Sequence, residues 1–487
     1  MESKRNIISK EEGGMAEHKL LINGSWRESS TVRDIKSPYD QSPVGKVHWA
    51  ERGHVQEALG AADRAFAETR RLSSFERGQI LDRISQGIKS RKEELARSIA
   101  LQAGKPIRDS RTEVDRAALT FEIARDESKR MGGDFIPLDL SAATKGRWGL
   151  VRRFPVGVIS AITPFNFPLN LVAHKVAPAL AAGNTIVLRP SSQVPITSLL
   201  LGEIVTDAGW PAGGLNVVPS SYEAAEILLT DDRVKKVTFT GSPAIGWELK
   251  QKAFQKKVTL ELGGNAAVVV EPDAALDYAV SRTVTGSFAY AGQICISVQR
   301  IFLQERIYDR FMADFESKTK KLKLGDPLAE DTDVGPMIDE DAARKIEEWI
   351  DEAVEKKARI VCGGKRQGTL VEPTILENVA PQLRISRLEA FAPIVIVSKY
   401  KDFSEALKAV NDSIYGLQAG VFTNDLKNAF RAYEDLEVGG VMINDVPTFR
   451  IDNMPYGGVK QSGFGREGIR YAIEEMTELK LMAVQFP

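Results

Sequence analysis

The chain of 487 residues is poor in cysteine and histidine and has no excess of either charge. Its two cysteines, Cys295 and Cys362, cannot form a disulfide framework, which is typical of a protein from a reducing compartment. No pair of the four histidines has the spacing of a metal site, so no metal is predicted. A formal net charge of −1 gives no reason to expect a nucleic acid or an anionic membrane as partner.

No apolar run reaches the length of a membrane span, and no secretory signal is recognisable at the N-terminus. The first residues, MESKRNIISKEEGGMAEHK, carry charges of both signs, and we interpret them as an extension with Met15 as an alternative translation start. We therefore expect a cytoplasmic protein. At 487 residues the chain predicts two or three domains.

The apolar spacing predicts helices first and then an alternation of strands and helices. Long helices are expected over 54–68, 74–102 and 112–130, the last ended by Gly132 and Gly133. Strands are then expected at 157–163, 184–190, 214–219 and 234–241, with helices at 169–183 and 191–209 between them. Such βαβ units predict a parallel sheet with helices on its faces.

The alternation resumes after Glu261 with a strand at 266–272, a helix at 275–291 and a strand at 299–304. This repetition predicts two consecutive α/β domains with a boundary near 262–264.

Three short motifs could carry chemistry, and each also has an ordinary structural interpretation. In VTFTGSPAIGWELK, a strand, Gly241, Gly246 and a helix suit a nucleotide phosphate, although the spacing is not that of a dinucleotide fingerprint or P-loop, and a plain turn fits as well. Glu261 beside paired glycines could be a general base or a solvated surface residue. Asn166 in TPFNFP could donate to an oxyanion or belong to a turn.

Cys295 lies in GSFAYAGQICISVQR and could be a nucleophile. Taken alone it fits a small buried hydrophobic residue better, because free cysteine is among the most buried residue types. Cys362, in RIVCGGK, is interpreted as a residue at a strand end.

Together the segments TPFNFP, FTGSPAIG, LELGGN, GQICIS, LEAFAP and MPYGGVKQSGFGRE, in that order, resemble the aldehyde dehydrogenase superfamily. The resemblance runs from LINGSW to ELKLMAVQF and is strongest for its non-phosphorylating glyceraldehyde-3-phosphate and lactaldehyde dehydrogenase-like branch. It implies an α/β fold with a Rossmann-like cofactor domain (16–126 and 150–262), an α/β catalytic domain (263–465) and a small β oligomerisation element (127–149 and 466–487).

The resemblance also implies roles for three residues. Cys295 would attack an aldehyde carbon to give a thiohemiacetal, and the Asn166 amide with the Cys295 backbone N–H would bind the oxyanion. Hydride transfer to NAD(P) would leave a thioester, which water activated by Glu261 would hydrolyse to the acid.

For the cofactor, the resemblance implies contacts along the strand ends and the glycine turn. These residues are Ile162, Thr163, Pro164, Phe165, Arg189, Ser191, Ser192, Phe239, Thr240, Gly241, Ser242, Ile245, Gly246, Leu262, Gly263, Glu389 and Phe391. Where the family usually has Lys-Pro followed by a glutamate, LRPSSQ has Arg189 and Ser192. A guanidinium in place of a carboxylate favours the 2′-phosphate of NADP, without excluding NAD.

The resemblance also implies that Arg116 and Arg450 lie near the substrate, where they would suit a small aldehyde with a phosphate, carboxylate or sulfonate tail. Surface arginines in i,i+4 pairs are the alternative interpretation. Apolar residues are expected to line the rest of the site, although a plain core would explain them too: Phe165, Phe167, Leu169, Phe288, Ile294 and Ile296.

Two rival functions remain, a CoA-acylating aldehyde dehydrogenase and a non-catalytic structural relative. Such CoA-dependent relatives tend to lack the glutamate, and a non-catalytic protein would be expected to lose reacting residues, so both are disfavoured by Glu261, Cys295 and Asn166. The alternating C-terminal segment ELKLMAVQF is typical of an edge strand that pairs with another subunit, which predicts a homodimer or homotetramer.

Overall fold

The computed structural model describes residues 7–8 and 15–486. The predicted N-terminal extension lies mostly outside these described residues. Within them, no helix combines the length and the apolar composition needed to cross a membrane.

The first sheet has eight strands, of which the central five run parallel. Val187 packs on one face of it and its neighbours Ile186 and Leu188 on the other, so both faces are buried under helices. In spatial order the strands are Gly463–Phe464, Lys257–Glu261, Val234–Thr240, Val158–Ile162, Thr185–Arg189, Leu215–Val217, Leu20–Ile22 and Ser25–Arg27.

The second sheet has seven strands and is parallel except at one edge. Val268 and Val270 face one hydrophobic cluster and Val269 the other, as expected for a strand buried on both sides. In spatial order the strands are Arg359–Cys362, Thr374–Glu377, Ile394–Tyr400, Val298–Gln304, Ala266–Val270, Gln418–Phe422 and Gly440–Ile443.

The chain passes from the first sheet to the second between Glu261 and Ala266, which is where the sequence predicts a boundary. The strands that end at Ile162, Arg189, Thr240 and Glu261 are neighbours in the first sheet. Their carboxyl ends therefore open on one edge, the usual position of a ligand site in a parallel sheet. The exact domain limits stay a prediction.

A third sheet of three antiparallel strands stands apart from the other two, with Thr477–Gln485 at one edge. Its other strands are Arg147–Pro155 and Gly133–Pro137. The remaining described strands form small sheets: Ile7–Ile8, Glu17–His18, Pro43–His48 and Val32–Lys36 in one, Arg366–Gln367 with Leu370–Val371, and Tyr415–Gly416 with Val459–Lys460.

The described helices confirm most of the predicted positions. They are Arg52–Thr69, Ser74–Ser90, Lys92–Ala103, Ile107–Arg130, Asn170–Ala182, Pro195–Asp207, Tyr222–Ala225, Ile227–Thr230, Pro243–Lys252, Leu276–Phe288, Tyr308–Thr319, Glu340–Glu355, Arg384–Arg387, Phe403–Asn411, Leu426–Asp435 and Ile469–Glu475. The single helix predicted over 74–102 is wrong. Arg91 at φ −106 and ψ 25 leaves the helical region, so the segment forms two helices joined at that residue.

Candidate active site

Two cavities meet at Cys295. One, of about 370 Å³, opens at the carboxyl ends of the first sheet, and the other, of about 230 Å³, lies between the helices around Arg116 and the loop of Arg450. Asn166, Leu171 and Cys295 line both. A molecule in either cavity can therefore reach the Cys295 sulfur.

An unusual backbone turn presents Cys295 to this junction. The helix Leu276–Phe288 is followed by Tyr290 at φ 49, Ala291 at φ 52 and Gly292 at φ 66, all in the left-handed region. A side chain at Gly292 would overlap the backbone of Ala392. Non-glycine residues keep such a strained backbone only where their surroundings hold them in place. Tyr290 is held in this way, because its hydroxyl donates to the Ala103 carbonyl at 2.9 Å.

The Asn166 side chain lies beside the same turn and is buried. Its Nδ2 donates to the Gln293 carbonyl oxygen at 3.0 Å. Gln293 is itself fixed, because its Oε1 accepts from the Ile338 N–H at 2.8 Å and its Nε2 donates to the Pro336 carbonyl. A primary amide has two N–H donors, so one remains for a negatively charged oxygen near Cys295.

Glu261 ends its strand in the interior and is only 2% exposed, so it is not a solvated surface residue. Neither carboxyl oxygen has a hydrogen-bond partner among the described residues. Burial, reinforced by the nearby Glu467, raises the pKa of Glu261 well above its ordinary value, although Arg450 and Lys175 oppose the shift. A carboxyl group with a raised pKa is a good proton acceptor once it ionises.

The Cys295 sulfur has one hydrogen-bond partner among the described residues, the Tyr456 hydroxyl at 2.9 Å. Burial raises the pKa of the thiol to about 12, while the Tyr456 hydrogen bond and the charge of Arg450 lower it. The resting sulfur is therefore protonated at neutral pH.

Arg450 lies over the Tyr456 ring, with its guanidinium carbon 3.6 Å from the ring centre and its side chain 8% exposed. It pairs with Glu467 at 3.2 Å, and Glu467 also pairs with Lys175 at 2.8 Å. Burial alone would raise the pKa of Glu467, but Lys175 and Arg450 hold it down at about 2. The Arg450 Nε is buried without a hydrogen-bond partner among the described residues.

Arg116 pairs with Asp452 at 2.7 Å, and its side chain is a quarter exposed toward the smaller cavity. Asp452 is buried and also accepts from the Asn170 amide at 3.2 Å and contacts His174 Nε2 at 2.8 Å. The partners of both arginines are distant in sequence, so the alternative of surface i,i+4 pairs is wrong.

The smaller cavity also differs from the predicted set of substrate residues. Arg116, Arg450, Ile294 and Ile296 line it, as does Phe167. Phe165, Leu169 and Phe288 do not. Phe165 lines the larger cavity, Leu169 begins a helix inside the core, and Phe288 stacks on Phe315. The prediction missed further polar and aromatic lining residues, among them Lys105, Arg282, Tyr290, Thr448 and Tyr456.

The larger cavity contains sixteen of the seventeen residues predicted to bind the cofactor, together with Tyr222 and Gln193, which the sequence did not indicate. The exception is Gly246, which lies behind the lining. A side chain there would overlap Leu262, so this glycine allows the helix Pro243–Lys252 to pack closely on the strand end.

The larger cavity fits a nucleotide with phosphates at the helix start. Ser242 precedes the helix Pro243–Lys252 without a side-chain cap, so the backbone N–H groups of the first turn remain available to an anion. Glu389 enters from the opposite wall, where its carboxylate accepts the Gly264 N–H at 3.0 Å. Burial raises the pKa of Glu389 to about 7, and any side chain at Gly263 would overlap this carboxylate.

Arg189 lies at the far end of the larger cavity, where its strand ends. Its guanidinium carbon is 4.3 Å from the centre of the Tyr222 ring, and its Nε donates to the Ser220 carbonyl at 3.2 Å. Across the described part of the chain, no carboxylate forms an ion pair with it. No ion pair therefore neutralises the charge of Arg189, although Glu223 lies near enough for its own charge to act on it.

Known proteins are similar to this chain over nearly its whole length. The profile of the aldehyde dehydrogenase family matches residues 26–482. A 3-sulfolactaldehyde dehydrogenase of Priestia aryabhattai is 45% identical over 466 residues, which cover 96% of this chain and 97% of that protein.

Two solved structures are similar over nearly the whole chain. Aldehyde dehydrogenase 21 from Physcomitrella patens, in complex with the reaction product succinate, is 43% identical with a TM-score of 0.95, covering 96% of this chain and 98% of that one. The glyceraldehyde-3-phosphate dehydrogenase GapN from Methanocaldococcus jannaschii, complexed with NADP, is 40% identical with a TM-score of 0.90, covering 94% and 100%.

Proposed function

Because this chain belongs to the aldehyde dehydrogenase family, we propose that it oxidises a small aldehyde with an anionic tail to the carboxylic acid, with NAD(P)+ as oxidant. Two arginines that line the smaller cavity beyond Cys295 carry this proposal: Arg450, whose side chain is 8% exposed, and Arg116, whose side chain is a quarter exposed. The proteins compared above act on, or hold, a sulfonate, a phosphate or a carboxylate, which supports an anionic tail.

We propose that Cys295, after losing its proton to solvent water, forms a bond from sulfur to the aldehyde carbon. The carbonyl π electrons move to oxygen, where the Asn166 amide and the Cys295 backbone N–H stabilise the negative charge. The bound nicotinamide cofactor supplies the acceptor for the hydride that leaves this carbon. Cys295 then holds a thioester, and Glu261 removes a proton from the water that displaces the sulfur.

The residues of the larger cavity would hold the cofactor as the sequence predicts. The helix start at Ser242 would receive the pyrophosphate, Glu389 a ribose and Arg189 the 2′-phosphate that distinguishes NADP. We propose NADP as the favoured cofactor, because Arg189 lines the cavity and Glu223, the carboxylate whose charge acts on it, forms no ion pair with it.

Arg189→Gln is expected to lower kcat/KM with NADP by about ten- to a hundred-fold, because one charged hydrogen-bonding group to the 2′-phosphate is lost. The value with NAD should change less than about three-fold, since NAD lacks that phosphate. Steady-state kinetics with both cofactors checks this. Lys252→Gln is the matched control, since Lys252 lines a neighbouring cavity and already pairs with Glu226 and Glu248. An equal loss with both cofactors in Arg189→Gln would contradict the assignment.

An aldehyde panel tests the proposed substrate class together with Arg116→Met. The wild type should oxidise glyceraldehyde 3-phosphate, succinic semialdehyde or a sulfonated aldehyde with a higher kcat/KM than propanal. In Arg116→Met the value for the anionic aldehydes should fall by about ten- to a hundred-fold and the value for propanal should hardly change.

Asp452→Asn is the matched control, because it removes the partner of Arg116 and leaves the arginine in place. It should keep the preference for anionic aldehydes. If the wild type turns over propanal faster than every anionic aldehyde, the proposed substrate class is wrong.

We also propose that the chain forms a homodimer or homotetramer through its C-terminal strand. Thr477–Gln485 is an edge strand of the small sheet, and Leu479, Leu481 and Met482 on it are each about half exposed. An apolar, unpaired edge is a surface that a second subunit can cover. A cytoplasmic location stays a prediction.

A further inference from the structure

The Tyr456 hydroxyl contacts the Cys295 sulfur, and neither the binding of the cofactor nor the roles of Cys295, Asn166 and Glu261 account for it. Its hydroxyl lies 2.9 Å from Cys295 Sγ, and the residue is only 2% exposed. Its backbone forms two hydrogen bonds with Glu467, at 3.0 Å and 2.7 Å, so the loop that carries it is fixed. A phenylalanine would fill the same space, and only the hydroxyl can bond to sulfur.

The Arg450 guanidinium strengthens this hydroxyl as a donor. It lies 3.6 Å from the centre of the Tyr456 ring and is held there by Glu467. A cation over an aromatic face withdraws electron density from the ring, which makes the phenolic O–H more polar. Burial raises the pKa of the Tyr456 hydroxyl, so it keeps its proton and stays a donor.

The charged groups near the Cys295 sulfur do not donate a hydrogen bond to it. Glu261 and Glu389 face Cys295, and both oppose a negative charge on it. Arg450 favours that charge, but it pairs with Glu467 and lies on the far side of the Tyr456 ring, with no hydrogen bond to the sulfur. The Tyr456 hydroxyl is thus the one donor in direct contact with the sulfur among the described residues.

We propose that the Tyr456 hydroxyl donates a hydrogen bond to the Cys295 sulfur as it becomes a thiolate, and thereby favours the reactive form of the nucleophile. This inference rests on the proposed role of Cys295. Tyr456 takes no proton in this step. It stabilises negative charge on sulfur until the bond to the aldehyde carbon forms, when the sulfur loses that charge and the hydrogen bond weakens.

Tyr456→Phe tests the proposal, because it keeps the ring beneath Arg450 and removes only the hydroxyl. The rate of alkylation of Cys295 by iodoacetamide, followed by mass spectrometry of its peptide between pH 6 and 10, should fall by about ten- to a hundred-fold at each pH. The acid limb of kcat/KM should move to higher pH by about one to two units. Both readouts respond to the thiolate population, which a purely packing role would not change.

Tyr400→Phe is the matched control. Tyr400 is also buried, and its hydroxyl bonds to the Val270 carbonyl, at 3.0 Å, and to Glu271 in the second sheet. This variant should alkylate Cys295 at the wild-type rate, while thermal melting confirms that both variants are folded.

Unchanged alkylation in a folded Tyr456→Phe would overturn the proposal, and so would faster alkylation, which would mean that the tyrosine restrains the thiol. Neither result would affect the role of Cys295. That role would fail separately, if a variant without the Cys295 sulfur still oxidised aldehydes.

Discussion

Cys295→Ala is expected to abolish formation of NAD(P)H, with kcat/KM falling by roughly 10⁴-fold or more. The sulfur lies where the two cavities meet and where the Asn166 amide can reach an oxygen bound next to it. Without it no tetrahedral carbon forms, and hydride departs readily only from such a carbon. Absorbance at 340 nm with an aldehyde that the wild type oxidises measures this loss.

The cofactor should still bind to Cys295→Ala, because the helix start at Ser242 and the side chains of Arg189 and Glu389 are unchanged. A shift of the melting temperature on addition of NADP checks this separately from turnover.

Cys362→Ala is the matched control within the same chain. Cys362 is buried in the second sheet, and burial raises the pKa of its thiol to about 11. This variant should keep wild-type turnover and lose only some stability through the small cavity it creates. Turnover that survives in Cys295→Ala, or that vanishes in Cys362→Ala, would contradict the assignment of the nucleophile.

The apolar patterns of the sequence predicted the sheets, whereas most of the cofactor cavity was predicted through the resemblance to the aldehyde dehydrogenase superfamily. Buried parallel strands are continuous apolar runs, as in residues 266–270, and glycine turns such as that of Gly241 mark the strand ends where ligands bind. The strands of the first sheet bring these ends together, which explains why the residues that the resemblance assigns to the cofactor line one cavity.

The smaller cavity was predicted less well because its walls depend on contacts between distant segments. Arg116 and Asp452 are 336 positions apart, and nothing around Asp452 in the sequence indicates a buried ion pair. Likewise, nothing in the sequence around Tyr456 indicates that its hydroxyl contacts Cys295. The burial of Leu169 and Phe288 shows the opposite error, since an apolar residue near a motif more often packs in the core than lines a cavity.

Glu261→Gln should separate the two halves of the reaction. Thiohemiacetal formation and oxidation need Cys295 and Asn166, whereas water attack on the thioester needs a proton acceptor. We expect a burst of about one NAD(P)H per active site followed by a steady state slowed about 10²- to 10⁴-fold. Rapid-mixing absorbance measures the burst, and intact-mass spectrometry should detect the acyl group on Cys295.

Glu377→Gln is the matched control, because Glu377 is also buried but pairs with Tyr308 and Arg359 in the second sheet. It should show wild-type kinetics without accumulation of a thioester. Adding CoA to Glu261→Gln probes the rival acyl transfer. If the wild type itself requires CoA for turnover, hydrolysis is not its reaction, whatever the variant does.

The pH dependence of stability gives a second readout of Glu261→Gln that does not need a substrate. The pKa of Glu261 is raised in the folded protein, so its neutral form favours folding, and that contribution is complete below the pKa of the unfolded chain. As pH rises toward the pKa of Glu261 in the folded protein, the wild type loses this stabilisation. The carboxyl of the unfolded chain ionises freely in water, which favours unfolding, whereas the buried carboxyl ionises only at higher pH. Glutamine stays neutral, so the variant should gain in melting temperature relative to the wild type as pH rises above about 5, where an ordinary glutamate is ionised. A difference in melting temperature that stays constant over this range would mean that Glu261 ionises normally where it is buried. The carboxylate would then already be ionised at neutral pH and ready to act as a base.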